Sequence, residues 1–141
     1  MSESGQQTVN CLCGDISITV NRVARSVGAC HCSMCRKWGG GALMAIDCGT
    51  EVSLKPENKV SVYDSSEWAE RGFCSRCGTH LFYRLKDTQQ YMMPAGLFDI
   101  DNLVFDHQVF IDEKPEYYSF ANETQDMTGA EVFAMYAPAA E

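Results

Sequence analysis

Cysteine is the residue type with the most chemistry to offer in this sequence, and its spacing narrows what that chemistry is. Eight cysteines occur in 141 residues, and all but Cys48 fall into three short runs: C-L-C-G at 11 to 14, C-H-C-S-M-C at 30 to 35 and C-S-R-C-G at 74 to 78. Thiols two apart on an extended backbone share a face, which is poor geometry for an S–S bridge between them but suits a shared ion. In a reducing compartment, clustered cysteines mean metal more often than disulfide. Zinc takes four ligands in a tetrahedron with sulfur about 2.3 Å away, and a C-x-C or C-x2-C hook puts two sulfurs on one side of it. Gly14 and Gly78 each follow a hook by one residue, where a positive φ lets the backbone turn back towards a bound sulfur.

The clustered thiols divide as four plus three, in one of two ways. Cys11, Cys13, Cys74 and Cys77 can form a closed site and leave Cys30, Cys32 and Cys35 as an incomplete one. Alternatively, the 11/13 hook closes with 30/32 and leaves Cys35 with 74/77. The first division is preferred, because it keeps the C-x-C-x2-C loop as one chelating unit and ties the start of the chain to a distant segment. A closed site is structural. A three-thiolate site has a position left for water or substrate, which is what catalytic zinc requires, unless Cys48, His31 or another group fills it.

Around the incomplete site the candidates are few. Three thiolates on a divalent ion carry a net negative charge, so Arg36, directly after Cys35, and Arg71, shortly before Cys74, are nominated to face a substrate carboxylate or a bound thiolate. The competing reading for each is a surface ion pair. His80, three residues past Cys77, is nominated as a general acid or base, against the plainer reading of a hydrogen-bonded histidine. His31 lies between two ligands on an extended stretch and should point away from the ion. Cys48 reads as a small buried hydrophobe, and the glycines of "WGGGALM" either admit a ligand or simply turn the chain. The P-loop pattern is absent, so no nucleotide is expected.

The elements that must hold these residues are mostly strands. "DISITVNR" alternates Ile16, Ile18 and Val20 with polar residues, and "NKVSVYDS" does the same with Val60 and Val62. "GALMAIDCG", "THLFYRL", "QQYMMPAG" and "DHQVFID" are further short apolar runs bounded by turn formers. Helix is expected only as a turn around "SMCRKW" and in "GAEVFAMYA", which reads equally as a frayed tail. The expectation is an all-β, mostly antiparallel single domain over 1–141, with a core at about 9–118 and a C-terminal extension at 119–141.

Charge and hydropathy limit the partners. The formal net charge is −8, with ten Lys/Arg against eight Asp/Glu up to residue 86 and one against eleven beyond it. A field of that sign repels nucleic acid. No window approaches the roughly 18 uninterrupted apolar residues of a membrane span, and "MSESGQQTVN" is polar. A soluble, cytoplasmic protein is expected; the residues say nothing of oligomeric state.

The order C-x-C-G, C-H-C-S-x-C-R and R-x-F-C-x-x-C-G-T (here "RGFCSRCGT") resembles the family of glutathione-dependent formaldehyde-activating enzymes and centromere protein V, over residues 11 to about 112. His31 and Arg36 stand where the name-giving members carry Gly and Trp, so the chain looks like the broader branch. The resemblance implies an Mss4-like β-tent, structural zinc on Cys11, Cys13, Cys74 and Cys77, and a second, catalytic zinc on Cys30, Cys32 and Cys35. It further implies a carbon-sulfur lyase that adds glutathione to formaldehyde, or, on the centromere-protein side, a non-enzymatic zinc-stabilised binding module.

Overall fold

A computed structural model describes residues 3–136. The small sheet is built on the clearest alternation in the sequence. In β2 (Gln7–Asn10), β3 (Ser17–Val20) and β7 (Val52–Lys55), paired antiparallel in the order β2-β3-β7, Ile18 lies opposite Val9 and Leu54. Ile16, Ile18 and Val20 are completely buried, as period-two patterning requires of a strand with one face on a core. A two-stranded ladder pairs β1 (Glu3–Ser4) with β4 (Val23–Ala24).

The large sheet has eight strands in the order β13-β12-β5-β6-β11-β10-β9-β8. They are β5 (Ser26–Cys30), β6 (Leu43–Asp47), β8 (Val60–Tyr63), β9 (Ala69–Cys74), β10 (His80–Leu85), β11 (Tyr91–Pro94), β12 (Val104–Val109) and β13 (Gln125–Met127). Neighbouring residues on each strand go to opposite faces. Val27, Ile46, Phe82 and Met93 join Ile16, Ile18 and Val20 in the main core, shared with the small sheet. Gly28, Cys30, Ala45, Met92 and Tyr83 alternate with them and line a cavity on the other face.

The expected strands are present, with three differences. β12 runs parallel to both β5 and β13, so the sheet is mixed. β5 goes unseen by an alternation search because Val27, Gly28, Ala29 and Cys30 are all buried, the mark of a strand covered on both faces. Val62 is 49% exposed rather than half-buried, because β8 is the edge of the sheet.

Both expected helices form. α1 (Ser33–Gly39) starts at Cys32, whose Sγ accepts from the Cys35 N–H at 3.3 Å, and ends at Gly40, whose N–H donates to the Arg36 carbonyl. α2 (Gly129–Tyr136) is an ordered helix rather than a frayed tail, begun by a capping box. The Thr128 N–H donates to Glu131 Oε1 (2.7 Å) and the Glu131 N–H to Thr128 Oγ1 (3.2 Å), while Asp112 accepts from the Gly129 N–H (2.8 Å). No helix among the described residues is long and apolar enough to cross a membrane.

Candidate metal centres

All eight thiols are free. Seven of them converge in two groups. The Sγ atoms of Cys11, Cys13, Cys74 and Cys77 lie within 4.8 Å of one another, as do those of Cys30, Cys32 and Cys35. Cys48 is buried in the main core and joins neither group.

The four-thiol group joins two similar loops. In each, a glycine N–H returns to the carbonyl of the first cysteine: Gly14 to Cys11 at 3.0 Å and Gly78 to Cys74 at 2.9 Å, with φ of 84° and 78° that only glycine adopts cheaply. Backbone N–H groups also point at sulfur, from Ile16 to Cys11 (3.3 Å) and from Cys77 to Cys74 (3.5 Å). Thr79 Oγ1 lies 3.0 Å from Cys77 Sγ and accepts from the Leu12 N–H at 3.0 Å, stitching one loop to the other. Asp15 takes Lys59 at 3.3 Å and Arg76 at 3.1 Å across the same seam. The Thr79 hydroxyl is the chief reason that the Cys77 thiol is pulled down to about 5.

Sulfur spacing tests whether an ion fits. Four sulfurs about 2.3 Å from a common centre stand about 3.8 Å apart. Cys11 and Cys13 are 3.6 Å apart and Cys13 and Cys74 3.8 Å, far beyond the 2.05 Å or so of an S–S bond and close to the tetrahedral edge. The residues fit a thiolate-bound ion.

The three-thiol group is made locally. Cys30 ends β5, Cys32 caps α1 and Cys35 lies in its first turn, so extended backbone followed by one helical turn brings three sulfurs together within six residues. No fourth His, Cys or carboxylate among the described residues joins them. Hydrogen bonding from Cys30 and then Cys35 pulls the Cys32 thiol down to about 2, and the hydrogen bond to Cys32 is the largest cause pushing Cys30 up. Negative charge on one of three crowded thiols raises the cost of charging the next, which a nearby cation relieves.

A cation stands beside them. Arg71 of β9 is 4% exposed, its Nη1 donates to Cys35 Sγ at 3.5 Å and its Nε to Ser65 Oγ at 3.2 Å. No carboxylate among the described residues pairs with it. Its guanidinium lies over the rings of Trp38 (5.0 Å) and Tyr83 (5.3 Å), the latter directly opposite it in the β9–β10 ladder. Burial raises the Tyr83 phenol, and negative charge on Cys30 adds to the effect.

The other nominated residues stand further off. His80 stacks on Trp38 with centroids 3.9 Å apart and planes within 10°, and burial, then the Arg71 charge, lowers its pKa. Its ring contact is with indole, not with a thiol. Arg36 donates from Nε to the His31 carbonyl at 2.9 Å, bracing the loop between Cys30 and Cys32. His31 is completely buried: Nε2 lies 2.7 Å from Gln108 Oε1 and Nδ1 2.8 Å from the Tyr118 hydroxyl. Gln108 Nε2 donates in turn to Thr124 Oγ1, and Thr124 to Asp126. Since Gln108 Oε1 only accepts, Nε2 carries the ring proton and Tyr118 donates to Nδ1. Burial lowers the His31 pKa, consistent with that neutral ring.

Trp38, Tyr83 and Tyr118 went unnominated. A single sequence marks Trp38 only as the neighbour of a cysteine run, and gives no sign that Tyr83 and Arg71 share a rung.

A family model described as glutathione-dependent formaldehyde-activating enzyme matches residues 6–113, more than half of the chain. The chain belongs to that family. It is 40% identical over 125 residues to a Schizosaccharomyces pombe protein named as an uncharacterized lyase, covering 87% of this chain and 91% of the relative. A Podospora anserina protein, named as a candidate glutathione-dependent formaldehyde-activating enzyme, is 31% identical over 84 residues; the match covers 56% of this chain and 39% of that protein. A crystal structure of a Rhodobacter sphaeroides protein superposes with a TM-score of 0.56 at 20% identity, over 66% of this chain and 88% of that one, and so shares the fold. Within the family stretch lie both cysteine groups, Arg36, Arg71 and His80. Helix α2 lies beyond it.

Proposed function

We propose that this protein is a zinc-dependent carbon-sulfur lyase-like enzyme that joins a small thiol, glutathione being the family's own, to an aldehyde or releases it again. The observation that carries this reading is the unequal sharing of sulfur: four thiols in one centre, three in the other, with a buried arginine beside the three. Thiolate-rich sites suit zinc. Cys11, Cys13, Cys74 and Cys77 would hold a structural ion, and Cys30, Cys32 and Cys35 a catalytic one.

Zinc on three thiolates would lend its charge to a substrate thiol, which in water keeps its proton up to a pH near 8.5. In the reaction the substrate sulfur forms a C–S bond to the carbonyl carbon, the C=O π pair moves onto oxygen, and the thiol proton ends on the new hydroxyl; no electron is gained or lost. The chain's own part is electrostatic and positional. Arg71 offsets the negative charge on the cysteines, and its contacts with Ser65, Trp38 and Tyr83 fix the guanidinium before substrate arrives. Arg36 braces the ligand loop through the His31 carbonyl, while its charge suits a substrate carboxylate. His80 would serve the proton transfer, its ring oriented by stacking on Trp38.

X-ray absorption at the zinc edge, with and without glutathione, tests the reading. A sulfur gained in the first shell on addition is expected. An unchanged shell, together with no acceleration of glutathione–formaldehyde exchange, would favour a zinc-stabilised binding module instead.

A further inference from the structure

The three-thiol centre is the more buried of the two: Cys30, Cys32 and Cys35 are all inside, whereas Cys13 and Cys77 are half-exposed. A cavity of about 110 Å³ reaches Cys30 from the face of the large sheet opposite the main core. Tyr83, Val109 and Phe110 line it from the sheet side, and Val132 and Tyr136 from α2. A second cavity, of about 240 Å³, shares Tyr83, Phe110, Val132 and Tyr136 with the first and adds Trp68 and Phe133. Phe133 meets Trp68 and Phe110 edge-on at 5.2 and 5.6 Å, which holds α2 across the opening.

Formaldehyde has no substituent to place in such a space. An apolar cavity of about 150 Å³ already accommodates benzene; the space at Cys30 is smaller than that, so a ring would extend past Tyr83 and Phe110 into the adjoining larger cavity, which exceeds it. Besides Asp87, Thr88 and His107, the last already bonded to Asp106 at 2.8 Å, the lining is aromatic and aliphatic; Asp87 would repel a peptide thiol's two carboxylates, so the group that suits the space belongs to the other reactant. The helix forming its outer wall lies outside the stretch matched by the family.

We infer that the aldehyde handled at the Cys30/Cys32/Cys35 centre carries an apolar substituent of aromatic or branched-aliphatic size, seated between β10 and α2. This rests on the reading given under Proposed function and adds the class of its second substrate. α2 then acts as a specificity element: it supplies no reacting group and selects the carbonyl compound by the volume it leaves.

The test compares kcat/KM for adduct formation between glutathione and either benzaldehyde or formaldehyde, using the metal-loaded full chain and subtracting the uncatalysed rate. Benzaldehyde is expected to exceed formaldehyde by about tenfold or more, the scale on which filling an apolar pocket discriminates substrates. Val132→Trp, which fills the cavity, should lower the benzaldehyde-to-formaldehyde ratio by about tenfold. Trp68→Ala, which removes the ring that Phe133 of α2 meets edge-on, should lower the same ratio by raising KM for benzaldehyde, and serves if the first variant does not fold. Formaldehyde preferred, with neither variant moving the ratio, overturns this inference and leaves the lyase reading standing. Faster reaction of benzyl mercaptan with formaldehyde than of glutathione with benzaldehyde would assign the pocket to the thiol and overturn it equally. Turnover of no aldehyde at all would remove both.

Discussion

The two cysteine centres use the same ligand chemistry on opposite structural terms. The four-thiol centre spans the chain: Cys13 and Cys74 are 61 residues apart in sequence, and Cys11 and Cys74 belong to the main core together with Ile16, Ile18 and Phe82. The three-thiol centre is complete within six residues and sits in a small cluster of its own with Met34, Leu43, Val109 and Phe110. Closing a long loop costs entropy that only a bound ion or a core repays, so losing the first centre releases a large part of the chain. A local hook constrains little chain. The second centre can therefore be altered for chemistry while the fold persists.

The sharpest break of this comparison is ligand removal. Cys11→Ser should leave the chain unable to fold to a stable state, since structural zinc in small domains contributes on the order of 10–16 kcal/mol; far-UV circular dichroism and bound zinc per chain would register it. Cys32→Ser should stay folded, bind one metal ion fewer and lose activity by about a hundredfold or more, the upper end of what even outer-shell changes cost. If the two variants unfold alike, the contrast fails.

Arg71→Met comes next. It removes the buried positive charge at Cys35 and should lower activity and the second ion's affinity by about 10- to 100-fold while sparing the first ion. Metal titration against a chelator separates the two ions. Tyr118→Phe removes one hydrogen bond from buried His31, so a loss of about 1 kcal/mol in urea denaturation is expected, with both ions retained. The smallest effect belongs to Asp15→Asn. Its partners Lys59 and Arg76 are half or more exposed, so screening leaves the seam between the two loops almost unweakened, and the thermal midpoint should move little in moderate salt.

Local physics was readable in the residue order. Hooks, Gly14 and Gly78 after two of them, the alternation of Ile16, Ile18 and Val20 and the turn after Cys32 all depend on neighbours within a few positions, and each is visible in the fold. The family likewise follows from the order of those hooks and their flanking residues. Long-range placement was not readable in this way. β5 is buried on both faces and so lacks the alternation that marks β3, and nothing local announces that β12 lies parallel beside it. Arg71 beside Cys35 needs β9 and α1 brought together across 36 residues, and its rung with Tyr83 depends on strand register.

By itself, then, the sequence determined which atoms can bind an ion, because chelation by a short hook is a property of adjacent residues. Only the tertiary structure decided which hooks share a centre, which cation neutralises the three thiols and what volume α2 leaves above Cys30. Those depend on packing between segments far apart in the chain, whose geometry no short stretch encodes.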